Sequence, residues 1–214
     1  MPSKKFVASV FGLLISTVAA YAGPITTPPP PISAVGDVTA VYVYANAQDT
    51  SIPNEVTPVS INLIFCNHPT GTCTGNNPGD IMDLGIQNGA MVFSLDNLNK
   101  SNHFVSNLAD IDGNFHVRIS TDFSVFGVGA LPSGADSVIA GLISSGQSVT
   151  YVGWEDLIAG QPAADFDYND LIFAFAGTTP NIVNVPEPIT ISLFGFGVAA
   201  AGLMTYRRRR AQKA

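Results

Sequence analysis

Positive charge is what most of this chain lacks. Between residues 23 and 188 only Lys100 and Arg118 are basic, while all sixteen acidic residues fall there, so that stretch carries a net charge of −14. Binding to a phosphate backbone needs a basic surface, which excludes nucleic acid as a partner. Recognisable catalytic patterns are also missing. There is no G-x-S-x-G, no H-E-x-x-H and no phosphate loop, and the three histidines (His68, His103, His116) lie far apart. A non-enzymatic protein is expected. A matrix-polysaccharide hydrolase stays as an alternative, because sixteen acids offer many carboxylate pairs whose separation a sequence does not give. Sustained helical periodicity is absent outside two apolar end segments, which excludes a helix bundle. Cysteine is reduced to Cys66 and Cys73, and tryptophan to Trp154.

The acids are unevenly placed. Gly153 to Phe175 reads G-W-E-D-L-I-A-G-Q-P-A-A-D-F-D-Y-N-D-L-I-F-A-F, with no Lys or Arg between Arg118 and Arg207 to neutralise it. Clustered carboxylates repel unless water or a cation separates them. Ca²⁺ takes six to eight oxygen ligands from carboxylates, amides and backbone carbonyls. Asp165, Asp167, Asn169 and Asp170 offer such a set, with Glu155 and Asp156 able to join from across a loop. An unbroken strand would place Asp165, Asp167 and Asn169 on the face of Leu171, Phe173 and Phe175, burying carboxylates among rings. The acidic run is therefore expected to be a loop that turns into a buried strand at Leu171. D-x-D-x-N opens like an EF-hand, but Asp170 replaces the required Gly and Ala176 occupies the bidentate Glu position, so an EF-hand is excluded. Two readings stay open: a non-EF Ca²⁺ site, which we prefer, and a solvated loop whose Asp and Asn side chains cap the backbone.

Asp110-Ile111-Asp112-Gly113-Asn114 is the second acidic constellation. It reads first as a tight turn and second as a ligand set (Asp110, Asp112, Asn114). Asp80 and Asp83 read first as solvated surface acids and second as acids near enough to join an acidic site. Phe115, Val117 and Ile119 alternate with His116, Arg118 and Ser120, which predicts a half-exposed strand with His116 outward. Strands are also expected over Val38–Tyr44, Pro58–Cys66, Ala90–Leu95 and Ser148–Trp154, with Asn46–Thr57 as a polar connection. Val125–Ala130 and Val138–Ile143 are short, apolar and punctuated by glycine, and Gly134-Ala135-Asp136 reads as a turn. Trp154 reads as a core plug. Short strands between turn signals predict an all-β fold, an antiparallel β-sandwich or jelly-roll-like domain.

Both ends are special. Lys4 and Lys5, the apolar run Phe6–Ala20 and the small-x-small site Ala20-Tyr21-Ala22 read as a secretory signal peptide over 1–22. Residues 23–35 are a Pro-rich linker, 36–178 the β domain, and 179–188 a tether. Residues 189–206 are eighteen uncharged, mostly apolar residues, enough to span a bilayer core, and 207–214 form a basic cytoplasmic tail. Cys66 and Cys73 lie in the exported part, where an even count predicts a disulfide. Closing so short a loop contributes about 2–3 kcal/mol at best. A metal site with His68 is the weaker reading.

Two resemblances add to this. Val185-Pro186-Glu187-Pro188, the apolar span and Arg207-Arg208-Arg209-Arg210 resemble the PEP-CTERM sorting signal of Gram-negative bacteria. That resemblance implies an inner-membrane intermediate held by residues 189–206, an exosortase-type processing enzyme, and a destination at the cell surface or in the extracellular matrix. W-E-D-L followed by D-x-D-Y-N-D-L-I-F resembles an uncharacterised family of bacterial surface-protein domains, over about twenty-three residues. It implies a β domain with Ca²⁺ binding and names no substrate. Together the readings predict an exported, Ca²⁺-stabilised protein of the biofilm, with anionic exopolysaccharide as a partner and a lectin-like glycan-binding module as the first alternative.

Overall fold

The computed structural model describes residues 23–61, 63–71 and 73–180. The expected signal helix, the P-E-P motif, the 189–206 span and the arginine tail lie outside the described residues. Among the described residues no helix is long and apolar enough to cross a membrane.

The described residues form seven strands: β1 (Ile32–Ala45), β2 (Ser51–Thr57), β3 (Ile81–Asn97), β4 (Asn102–Val105), β5 (Val117–Ser120), β6 (Val149–Trp154) and β7 (Leu171–Pro180). One helix, α1 (Ser133–Ser144), and a 3-10 turn at Phe123–Phe126 separate β5 from β6. Every strand pairing is antiparallel, in the order β2-β3-β1-β7-β6-β5, with β4 also on β3. β3 serves two neighbourhoods. Its first part pairs with β1 and its last part with β2 and β4. The β2-β3-β4 end packs over the main sheet, as the Phe93 ring stacking on Phe175 at 4.4 Å shows. The fold is mostly antiparallel β with one short helix, consistent with the expected sandwich.

The central strands are buried on both faces, which explains their continuous apolar runs. In β7, Leu171, Phe173 and Phe175 join Phe65, Phe93, Leu95, Phe104 and Trp154 in one core. Ile172, Ala174 and Ala176 point the other way, into a core with Val41, Val43, Phe126 and the α1 residues Ala135 and Ile139. Trp154 is buried, as the core reading requires.

Several expectations are corrected. The folded part starts before Gly36: Ile32 and Ala34 of the expected linker are buried in β1, and Ile25 bridges to Phe115. The connection Asn46–Thr57 holds β2, where Pro53 is tolerated because β2 lies at the end of the sheet order. Pro58–Cys66 is not a regular strand. Leu63 sits at φ 61°, and Ile64, Phe65 and Cys66 are buried consecutively, which breaks the alternation. Gly134-Ala135-Asp136 is the first turn of α1 rather than a separate turn. His116 is buried rather than outward, because β5 begins only at Val117 and the imidazole stacks on Phe104 at 4.1 Å. The expected disulfide joins Cys66 to Cys73.

Candidate metal centre

Strand pairing brings the two acidic motifs together. Trp154, the last residue of β6, pairs with Leu171, the first of β7. Glu155-Asp156 and Asp165–Asp170 therefore emerge at one end of the sheet, with eight residues of loop between them. The Glu155 N–H donates to the His116 carbonyl at 2.9 Å, and the chain then leaves the sheet.

Within the returning loop the backbone alternates. Phe166 (φ 55°) and Tyr168 (φ 62°) are left-handed, which is uncommon for bulky residues. Both rings are buried. The Tyr168 hydroxyl anchors the loop by accepting the Ile25 N–H at 2.8 Å and donating to the Phe115 carbonyl at 3.2 Å. With the aromatics turned inward, the acids between them converge: carboxylate oxygens of Glu155, Asp165 and Asp167 lie within 4.8 Å of one another. Asp165 Oδ1 accepts the Asp167 N–H at 3.4 Å, and Asp167 Oδ1 accepts the Asn169 N–H at 3.0 Å.

Glu155 is the innermost of the three, with 0 % of its surface exposed. Its Oε2 accepts the Phe166 N–H at 2.8 Å, whereas Oε1 is buried with no hydrogen-bond partner among the described residues. An unsatisfied buried acceptor costs about 1–3 kcal/mol, and more when charged. Burial, and next the charge of Asp170, push the Glu155 carboxyl up to about 9. Burial also raises Asp167 above the ordinary carboxylate range. Arg118 offsets this only in part: its guanidinium lies over the Tyr168 ring at 4.8 Å, its Nη1 donates to the Val125 carbonyl at 3.1 Å, and it forms no ion pair among the described residues.

The other three expected ligands sit beside this trio. Asp156 is buried and its Oδ2 accepts the Ser51 hydroxyl at 2.9 Å. Asp170 Oδ2 accepts the Asp156 N–H at 2.9 Å, and the Asp170 carbonyl takes the N–H groups of Asn46 and Ala47. Burial pushes Asp170 up to about 7 and also raises Asp156. Asn169 Nδ2 donates to Asp167 Oδ2 and to the Phe126 carbonyl. These residues hold the two segments of the loop to each other, to the chain just after β1 and to the start of β2. Outside the trio, a groove of about 290 Å³ opens, with Asp49, Lys100, Asp156, Asp165 and Asp170 among its walls.

The second constellation is a tight turn. Gly113 adopts φ 79°, and its N–H donates to the Asp110 carbonyl at 2.8 Å. Asp112 accepts the N–H groups of Asn114 and Ala159, both at 2.9 Å, and contacts His116 Nε2 at 3.2 Å. Partial burial works to raise the Asp112 carboxyl, but these donors hold it below the usual range. Asp112 thus ties the turn to the acidic loop, and Asp110, Asp112 and Asn114 are not among the carboxylates gathered round Glu155. Asp80 accepts the Asn77 N–H in the loop before β3, and Asp83, within β3, accepts the Gly85 N–H.

Gly153 leaves room for this arrangement. A Cβ there would collide with the Tyr168 carbonyl oxygen and the Phe126 ring. Gly153→Ala should therefore displace the acidic loop and destabilise the chain by about 1–3 kcal/mol, the usual cost of overpacking. Urea unfolding checks this; an unchanged midpoint would show that the loop yields freely.

No curated protein and no solved structure matches the chain, so the likeness of residues 153–175 to the uncharacterised surface family rests on its motif alone. The PEP-CTERM protein-sorting motif matches residues 184–210, which implies export, C-terminal membrane anchoring before processing, and processing by an exosortase-type enzyme.

Proposed function

We propose that residues 23–180 form a non-enzymatic, Ca²⁺-stabilised β domain that acts at the cell surface or in the exopolysaccharide matrix of a biofilm. The observation that carries the cation is the unpartnered, fully buried Oε1 of Glu155 beside the carboxylates of Asp165 and Asp167. Three carboxylates at such separations repel in a low-dielectric setting, and a hard dication removes that repulsion while supplying the missing partner. Glu155, Asp165 and Asp167 would hold the ion. Asp156, Asp170 and Asn169 would keep the loop in place around it. The sorting motif sends the domain to a compartment where extracellular modules bind Ca²⁺ at about 10⁻⁴–10⁻³ M.

The test is a thermal melt of the purified chain with and without millimolar Ca²⁺. At tenfold excess over the dissociation constant the ion stabilises by about 1.4 kcal/mol. For a domain of this size that is a rise of roughly 3–6 °C. An Asp165→Asn/Asp167→Asn double variant should lose the rise. A melt indifferent to Ca²⁺, or an equal rise in the double variant, would discard the site.

A further inference from the structure

Resting on the cation reading above, we infer that the ion is also a ligand-binding element, and that the groove beside it takes one neutral sugar unit through a vicinal diol coordinated to Ca²⁺. Three observations lead there. First, the three carboxylates are unequal. Glu155 closes the inner side and is fully buried, while Asp165 is exposed, so the ion's open positions lie on the solvent side. With one oxygen from each, three carboxylates supply three of the six to eight oxygens that Ca²⁺ takes, which leaves positions for backbone carbonyls, water or a ligand.

Second, Asp165 is a wall of the groove as well as a member of the trio. Asp165 is the one member of the trio that lines the groove, so a ligand seated there would approach the ion from the Asp165 side. At about 290 Å³ the groove lies just below the range of small-molecule sites, which run from roughly 300 to 1,000 Å³. That volume suits a single ring with the rest of a chain running out into solvent.

Third, the charge of the groove selects among sugars. Asp49, Asp156, Asp165 and Asp170 face a single cation, Lys100, which forms no salt bridge among the described residues. Carboxylates accept hydrogen bonds from hydroxyl donors and repel a second carboxylate. Lys100 can donate to a hydroxyl or ring oxygen. The walls thus favour a polyhydroxyl, uncharged unit over a uronate, so the anionic polysaccharide expected from sequence is replaced by a neutral one.

Calorimetric titration of the full chain tests both levels separately. Ca²⁺ alone is titrated first, then methyl α-mannopyranoside and methyl glucuronide, each with Ca²⁺ and again with EDTA. The expected result is millimolar binding of the mannoside with Ca²⁺, at least tenfold weaker binding in EDTA, and weaker binding of the glucuronide than of the mannoside. Asp49→Asn should weaken the mannoside severalfold and leave the Ca²⁺ titration unchanged, because Asp49 lines the groove without belonging to the trio. Ca²⁺ binding with no mannoside binding overturns this inference and leaves the cation site standing. No Ca²⁺ binding overturns both. Equal mannoside binding in EDTA, or preference for the glucuronide, overturns the diol assignment.

Discussion

Replacing Glu155 by Gln should make the calcium-free chain more stable at pH 8 and should abolish its response to Ca²⁺. The sign follows from burial. The folded-state carboxyl titrates at about 9 against an ordinary value of 4.5. A group raised in the folded state contributes full stability below its unfolded value and loses it as pH climbs towards the folded one. The calcium-free chain should therefore weaken steadily from about pH 5 to pH 9 as folding comes to require either an ionised carboxylate in the core or uptake of a proton. The charges that act on Glu155 from the surrounding loop, Asp170, Asp165 and Asp156, all push the same way. Gln keeps an oxygen for the Phe166 N–H and carries no charge, so the pH slope should largely vanish. Each tenfold weakening of a buried acid is worth roughly 1.4 kcal/mol, so the variant should gain about 3–5 kcal/mol at pH 8, or on the order of 10 °C in melting temperature. Saturating Ca²⁺ should narrow or reverse the order, since only the wild type can coordinate the ion through this position. Thermal melts at pH 5 and pH 8, in EDTA and in Ca²⁺, give all four corners. A variant no more stable than wild type at pH 8 in EDTA, or one that still gains from Ca²⁺, removes Glu155 from the centre of the site.

That a glutamate could be fully buried at a loop entrance is the part of the site the sequence could not disclose. The E-D and D-F-D-Y-N-D motifs are legible as one acidic region, and the parity of Asp165, Asp167 and Asn169 against Leu171, Phe173 and Phe175 already requires a loop before the strand. The start of β7 at Leu171 agrees with it. Which acids meet depends on the Trp154–Leu171 pairing and on the left-handed backbone at Phe166 and Tyr168. Neither leaves a mark in residue type, because aromatics rarely adopt that conformation. The elements that differ from expectation have similar causes. Ala135, Val138, Ile139 and Leu142 do follow helical spacing in α1, but Gly134, Gly141 and the β-branched residues among them weaken helix propensity. Val59, Ile61, Leu63 and Phe65 alternate as a strand would. Yet the chain turns at Leu63 so that Ile64 and Phe65 can cover the core, and tertiary packing overrides the pattern. His116 faces inward because its strand begins at Val117, two residues later than the alternation suggests, and the space it fills beside Phe104 exists only once β4 is in place.

A second buried carboxylate, remote from the acidic loop in sequence, should give a pH dependence that calcium leaves untouched. Glu55 lies in β2 opposite Phe93 and is almost wholly buried, and neither of its oxygens has a hydrogen-bond partner among the described residues. Burial pushes its carboxyl up to about 7, and the Val59 backbone N–H, nearby but outside hydrogen-bond geometry, offsets only part of this. No neighbouring charge adds to the effect of burial. By the same linkage, the stability that the protonated form provides is complete below 4.5, is lost as pH rises, and levels off above about 7. With the same conversion, roughly 1.4 kcal/mol for each factor of ten in acidity, Glu55→Gln should recover about 3 kcal/mol at pH 8 and almost nothing at pH 4.5. Gln keeps the shape and the polar desolvation of the neutral acid, so the difference isolates the charge. Two features separate this effect from that of Glu155. Its pH profile flattens near 7 rather than continuing upward, and it is the same in EDTA and in Ca²⁺, because Glu55 is not among the carboxylates that converge on Glu155. Urea unfolding of the Glu55→Gln, Glu155→Gln and double variants across pH 4.5 to 9 resolves the two contributions. They should add, since the residues sit on different elements and share no partner. A Glu55→Gln chain that is no more stable than wild type at pH 8 would show that β2 admits water to this carboxylate, and the inward-facing acid would then be a surface group in all but geometry.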